Sequence, residues 1–107
     1  MQPCFIYFHG GSAVSGTIEM YTDILCRYAI MCNMLVISVG YRLAPEAQAP
    51  NGIRDAVAAV KMVIKEKNDF KIDTSRIAIG GDEAGAYIAA NVSMWLFEME
   101  EAHIVKF

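Results

Sequence analysis

Short, wholly apolar runs alternate with longer amphipathic stripes along this chain, and that alternation leaves few ways for it to fold. Cys4-Phe5-Ile6-Tyr7-Phe8 is apolar at every position, Met34-Leu35-Val36-Ile37-Ser38-Val39 nearly so, and Ile77-Ala78-Ile79 is a shorter third run. A strand with one wet face alternates apolar and polar residues. A run that does not alternate predicts a strand buried on both faces, as in a parallel sheet covered by helices. Between the runs, Ile18, Tyr21, Leu25, Tyr28 and Cys32 recur at steps of three and four and form one helical stripe. A second stripe carries Ile53, Val57, Val60 and Ile64, with Arg54, Lys61 and Lys65 on the opposite side. Ala84, Ile88, Val92, Trp95 and Met99 mark a third helix beginning near Glu83.

The connections carry turn chemistry. His9 to Gly16 is a glycine-rich loop, Gly40 to Asn51 holds two prolines, and Asn51 suits the N-cap of the second helix. Asn68 to Arg76 reads as a polar connection with Asp73-Thr74-Ser75 as its turn, and Gly80-Gly81 is expected to break the third strand. Ile104-Val105-Lys106-Phe107 reads as the opening of a further strand. No linker or internal repeat divides the chain, so residues 1–107 are expected to form a single domain. The fold class is α/β: a parallel sheet of three strands, or four with Ile104–Phe107, and right-handed crossovers that place helices on both faces.

Composition excludes several function classes. At 55% hydrophobic and 20% charged residues, the chain is too apolar for intrinsic disorder. Nine Lys and Arg against twelve Asp and Glu give a net charge of −3, without the basic footprint that nucleic-acid phosphates require. The apolar middle between Arg27 and Arg42 is interrupted by Asn33, Ser38 and Gly40, and is shorter than the roughly 20 residues of a spanning helix. The N-terminus enters a strand by its fifth residue and shows no basic-then-apolar secretory signal. Cys4, Cys26 and Cys32 are odd in number and lack C-x-x-C spacing, so no disulfide framework and no zinc or other metal site is expected. They read as buried thiols of a reducing, cytoplasmic compartment.

The segment richest in chemistry is Gly80-Gly81-Asp82-Glu83-Ala84-Gly85, between the third strand and the third helix. It contains G-x-E-x-G at Gly81, Glu83 and Gly85. Such a strand-to-helix bend needs small residues two before and two after its tip, because side chains there would clash, and it presents the tip residue at the helix N-terminus. Alone, the pattern also fits an ordinary glycine-rich turn. Two other blocks accompany it. His9-Gly10-Gly11-Ser12 follows the first strand, and consecutive glycines leave backbone N–H groups unshielded, able to face a developing oxyanion. Tyr41-Arg42-Leu43-Ala44-Pro45-Glu46 follows the second strand and reads as a structural loop.

In this order the three blocks resemble the hormone-sensitive-lipase-like branch of the α/β-hydrolase fold, which includes carboxylesterases and lipases. The family pattern is H-G-G-G, then Y-R-L-A-P-E, then D-x-x-R-I-x-x-x-G-D-S-A-G-G, and the likeness covers nearly the whole chain. It implies an esterase ancestry, a Ser/Asp-or-Glu/His triad, a small ester or acyl ligand, and no cofactor. Carried over by position, Gly10, Gly11 and Ala84 would supply oxyanion-hole N–H groups, and Glu83 stands at the nucleophile position. His9 belongs to the oxyanion loop and is not the catalytic base, Ser12 replaces a third glycine, and Gly81, Asp82 and Gly85 complete the elbow.

The central serine of the pattern is missing. A carboxylate at Glu83 attacking an ester would give a mixed anhydride, and its charge beside an oxyanion site weakens transition-state stabilisation. Hydrolases that use an aspartate nucleophile still need a histidine for the second step, and glutamate is one methylene longer. The family's acid and histidine follow the elbow, where 107 − 83 leaves 24 residues and only His103, which reads as surface. The likeness runs from the family's third strand to the start of its sixth. The expectation is therefore a partial α/β-hydrolase domain with two open sheet edges, prone to self-association. Three functional readings follow: a family member inactive as it stands, an active carboxylesterase within a longer chain, or a non-catalytic binding module for a ligand or protein.

Overall fold

The computed structural model describes residues 1–10, 21–40 and 51–98. Its elements are β1 (Gln2–Phe8), α1 (Thr22–Cys32), β2 (Leu35–Val39), α2 (Asn51–Lys65), α3 (Lys67–Phe70), β3 (Ile72–Gly81) and α4 (Ala84–Glu98). The expectations for Gly11, Ser12, the start of the first helix at Ile18, the Tyr41–Glu46 block, the Asn51 side-chain cap, Met99, His103 and the Ile104–Phe107 strand lie outside the described residues.

The three strands form one parallel sheet in the order β2-β1-β3. From β1 the chain crosses to β2 on one side, then from β2 back past β1 to β3. Right-handed crossovers moving in opposite directions put their helices on opposite faces, and the packing shows this. Cys4, Ile6 and Phe8 of β1 join Ile53, Val57, Val60 and Val63 of α2 and Ile88, Val92 and Leu96 of α4 in one buried cluster. The alternate β1 positions face the other way, where Tyr7 packs against Tyr21 at the start of α1 (ring centroids 5.6 Å apart). Each large apolar side chain buried in this cluster stabilises the fold by about 1.5–3 kcal/mol.

Several boundaries differ from the sequence reading, each for a physical reason. β1 starts at Gln2, because Gln2 pairs with Ile72. Pro3 lacks an N–H and is tolerated in this central strand because it sits where the ladders are interrupted. Pairing with β2 begins only at Cys4, and the register with β3 shifts between Gln2 and Cys4. The segment taken as a polar connection instead holds α3 and the first half of β3. Gln2 pairs with Ile72 but Cys4 with Ile77, so Asp73–Arg76 form a bulge inside the strand. Gly80 and Gly81 do not break β3, since they pair with Tyr7 and Phe8.

Among the described residues β2 is an edge strand, and Leu35 to Ser38 are only half-buried, against the expectation of burial on both faces. α1 packs beside it and buries only Leu25. Tyr28 and Cys32, placed on the buried stripe by their spacing, are exposed. Cys26 is exposed as well, so of the three thiols only Cys4 is buried, and desolvation pushes it up to about 11. Asn33 closes α1 in a left-handed conformation (φ 49°), which asparagine tolerates. Among the described residues no helix is long and apolar enough to cross a membrane.

Candidate active site at the carboxyl ends of β1 and β3

Adjacent parallel strands whose following connections leave to opposite faces open a crevice at their carboxyl ends. β1 and β3 are such a pair: α1 follows β1 on one face, and α4 follows β3 on the other. The His9-Gly10 loop and the Gly81–Gly85 bend both lie there.

The bend is sharp. β3 ends at Gly81, α4 begins at Ala84, and Glu83 between them has φ 51°. A non-glycine residue in this left-handed region costs roughly 1–2 kcal/mol and persists only where its surroundings impose it. Here the bend is imposed by close backbone approach to the end of β1. A Cβ on Gly81 would lie 2.4 Å from the Phe8 carbonyl oxygen, and one on Gly85 would lie 1.8 Å from that same oxygen. The Gly85 N–H donates to the Asp82 carbonyl (2.8 Å), and the Ala86 and Tyr87 N–H groups donate to that of Glu83 (3.1 and 3.3 Å). Glu83 therefore tips the turn, exposed at the N-terminus of α4, where the helix dipole favours a carboxylate. Ala84, as first residue of α4, carries one of the N–H groups that a helix start leaves without an intrahelical acceptor.

Gly10 lies directly against the bend. Its N–H donates to Asp82 Oδ1 (3.1 Å), and a Cβ there would meet Asp82 Oδ2 at 2.9 Å. His9 is buried, stacks on Tyr21 (6.2 Å between ring centroids, 25° between planes), and donates from Nδ1 to the Gly10 carbonyl (2.8 Å). Asp82 accepts two further hydrogen bonds, from the Tyr7 hydroxyl on Oδ1 and from the Tyr21 hydroxyl on Oδ2 (3.3 Å). Burial, then the hydrogen bond and negative charge of Asp82, raise the Tyr7 phenol well above its ordinary range. Tyr21 is raised by burial first and by the Asp82 charge next, with Glu83 adding to it. Both phenols thus remain neutral donors.

His9, Gly10, Gly81, Asp82, Glu83, Ala84 and Gly85 are accordingly gathered in one crevice, while Gly11 and Ser12 lie outside the described residues. Sequence reasoning missed Tyr7 and Tyr21, which appeared there only as apolar positions. The available signal was that a buried tyrosine hydroxyl nearly always finds a partner. Among the described residues no three His, Cys, Asp or Glu side chains converge as metal ligands.

The chain is 38% identical over 103 residues to Esterase LipI of Mycobacterium tuberculosis, covering 96% of this chain and 32% of that protein. It is 39% identical over 88 residues to Carboxylesterase NlhH of the same organism, covering 82% of this chain and 28% of the relative. Among solved structures, the thermophilic carboxylesterase EstE1, cloned from a metagenomic library, superimposes with a TM-score of 0.94 at 40% identity over 98% of this chain and 35% of its own. An esterase from Pyrobaculum calidifontis gives 0.94 at 35% identity, over 98% of this chain and 34% of its own. The chain thus spans about a third of the length of the relatives it matches. With residues 5–107 matching the family described as alpha/beta hydrolase fold, and with this sheet, bend and crevice, the chain belongs to that family and is an esterase-like domain of it.

Proposed function

We propose that this is an esterase-type domain that keeps the architecture for holding a small ester or acyl group but does not hydrolyse esters as it stands. The observation that carries this reading is Glu83 at the tip of the bend with φ 51°. The strained geometry that presents a nucleophile is present, while the group presented is a carboxylate. Its charge opposes the oxyanion that acyl transfer must develop, and the anhydride it would form needs a base to resolve it. Of the two histidines, His9 is buried with Nδ1 committed to the Gly10 carbonyl, which suits a loop-holding role rather than general base. The oxyanion donors in this reading are the Gly11 and Ala84 amides, the Gly10 N–H being engaged by Asp82.

The length of the relatives supports a second reading, in which a longer chain supplies the triad's acid and histidine. Glu83 would still stand in place of the nucleophile there. The test is hydrolysis of short-chain nitrophenyl esters by the purified chain. Turnover is expected not to exceed the buffer rate, and Glu83→Ser alone is expected to leave it there, because His9 is buried with Nδ1 on the Gly10 carbonyl. Robust hydrolysis by the unmodified chain would overturn the proposal.

A further inference from the structure

We propose that Tyr7 and Asp82 are positioning residues that lock the Gly10 peptide against the bend, and that this lock operates whatever side chain stands at position 83. The proposal rests on reading the crevice as the ligand site, but its test does not depend on activity. Asp82 joins four parts of the molecule. Its carboxylate accepts from the Tyr7 hydroxyl at the end of β1, from the Gly10 N–H in the following loop and from the Tyr21 hydroxyl at the start of α1. Its backbone carbonyl accepts from the Gly85 N–H in α4.

Gly10 is thereby held at both of its polar groups, the N–H by Asp82 and the carbonyl by His9 Nδ1–H. The Gly10 N–H itself is spent on a charged acceptor, the stronger kind of hydrogen bond, and is not offered to an incoming oxyanion. Tyr7 acts on this arrangement through Asp82. Its hydroxyl fixes Oδ1, the same oxygen that receives the Gly10 N–H. Were Asp82 only a cap on the turn into α4, Gly10 would be indifferent to Tyr7.

The experiment is residue-resolved amide exchange and pH titration by NMR on the full chain. The Gly10 amide is expected to be protected in the unmodified protein, and its proton shift to follow the titration of the Asp82 carboxyl carbon. Tyr7→Phe should accelerate Gly10 exchange by about tenfold, the loss of one hydrogen bond supporting a charged acceptor. The Ile6, Ile77 and Val92 amides in the core should not change. Asp82→Ala should abolish Gly10 protection, and Asp82→Asn, which keeps a carbonyl acceptor, should restore part of it. A Gly10 amide that changes only in parallel with the core amides would overturn the proposal. Should Tyr7→Phe fail to fold, the unmodified chain decides alone: a Gly10 shift that ignores Asp82 refutes the lock. Ester hydrolysis reads the functional proposal separately, since the lock can be present or absent whether or not the chain is active.

Discussion

Gly85 carries the tightest constraint in the crevice. A Cβ there would lie 1.8 Å from the Phe8 carbonyl oxygen, 2.6 Å from its carbon and 2.8 Å from the His9 carbonyl oxygen, all backbone atoms that cannot rotate away. At Gly80 the same atom would meet only the Phe5 ring, at 3.0 and 3.1 Å, and a half-buried ring can turn. Gly85→Ala is therefore expected to cost about 3 kcal/mol or more, and Gly80→Ala to stay within roughly 1 kcal/mol. Urea unfolding of the two variants measures the difference, and equal midpoints would mean that the bend does not press on β1. Part of this constraint was legible in the sequence, because a Cβ on Gly81 would also meet the Gly85 carbonyl carbon and oxygen at 2.5 and 2.7 Å, a clash within the bend of which G-x-E-x-G is the trace. The role of Asp82 was not. Its bond to Tyr7 spans 75 positions, and a contact at that separation leaves no spacing pattern to read.

The elements show the same division between local and distant causes. The α2 stripe was readable because Ile53, Val57 and Val60 face a single surface, and they are buried as their period requires. α1 misled because its period is equally good but the surface it needs is narrow: it lies along an edge strand, so Leu25 is covered while Tyr28 and Cys32 are not. In β3, Asp73-Thr74-Ser75 carried true turn chemistry that signalled a bulge rather than a connection. Asp73 accepts from the Ser75 N–H (3.0 Å) and Oγ (2.6 Å) and from Arg76 Nε (2.8 Å). The Ser75 hydroxyl first, then the Ser75 N–H and Arg76, hold its carboxyl down from the usual 3.8 to about 2. A carboxyl depressed on folding stabilises the native state above its unfolded value, and that contribution is lost as pH falls through the folded one. The bulge should therefore loosen between pH 3.8 and about 2, with the Ile72 and Gln2 amides losing protection in that window. A carbon-detected titration of Asp73 near 4 would remove this account of the bulge, and Asp73→Ala should abolish the acid transition in those amides.

The whole molecule leaves apolar surface open on both sides of its sheet. Ile30 and Met31 on α1 are 81% and 82% exposed, and Tyr87 and Met94 on α4 are 63% and 58% exposed. α4 is apolar nearly all round, a composition suited to a helix covered on more than one side. Among the described residues both outer strands, β2 and β3, are open edges. The relatives carry the same unit, superimposed at a TM-score of 0.94, within chains about three times as long. A three-stranded unit of this kind is expected to associate with itself when isolated, its mean mass in sedimentation rising with concentration. Two surfaces compete to explain such association, and substitution separates them. Ile30→Lys with Met31→Lys adds charge to the α1 face without touching a strand, whereas Tyr87→Lys with Met94→Lys does so on the opposite face. If the helix faces drive association, one pair should return the chain to monomer. If strand edges drive it, neither pair should, because edge pairing uses backbone groups that these changes leave intact. A monomeric mass at every concentration, with a sharp unfolding transition independent of concentration, would show that three strands and their helices suffice on their own, and that the open faces carry no free-energy demand for a partner.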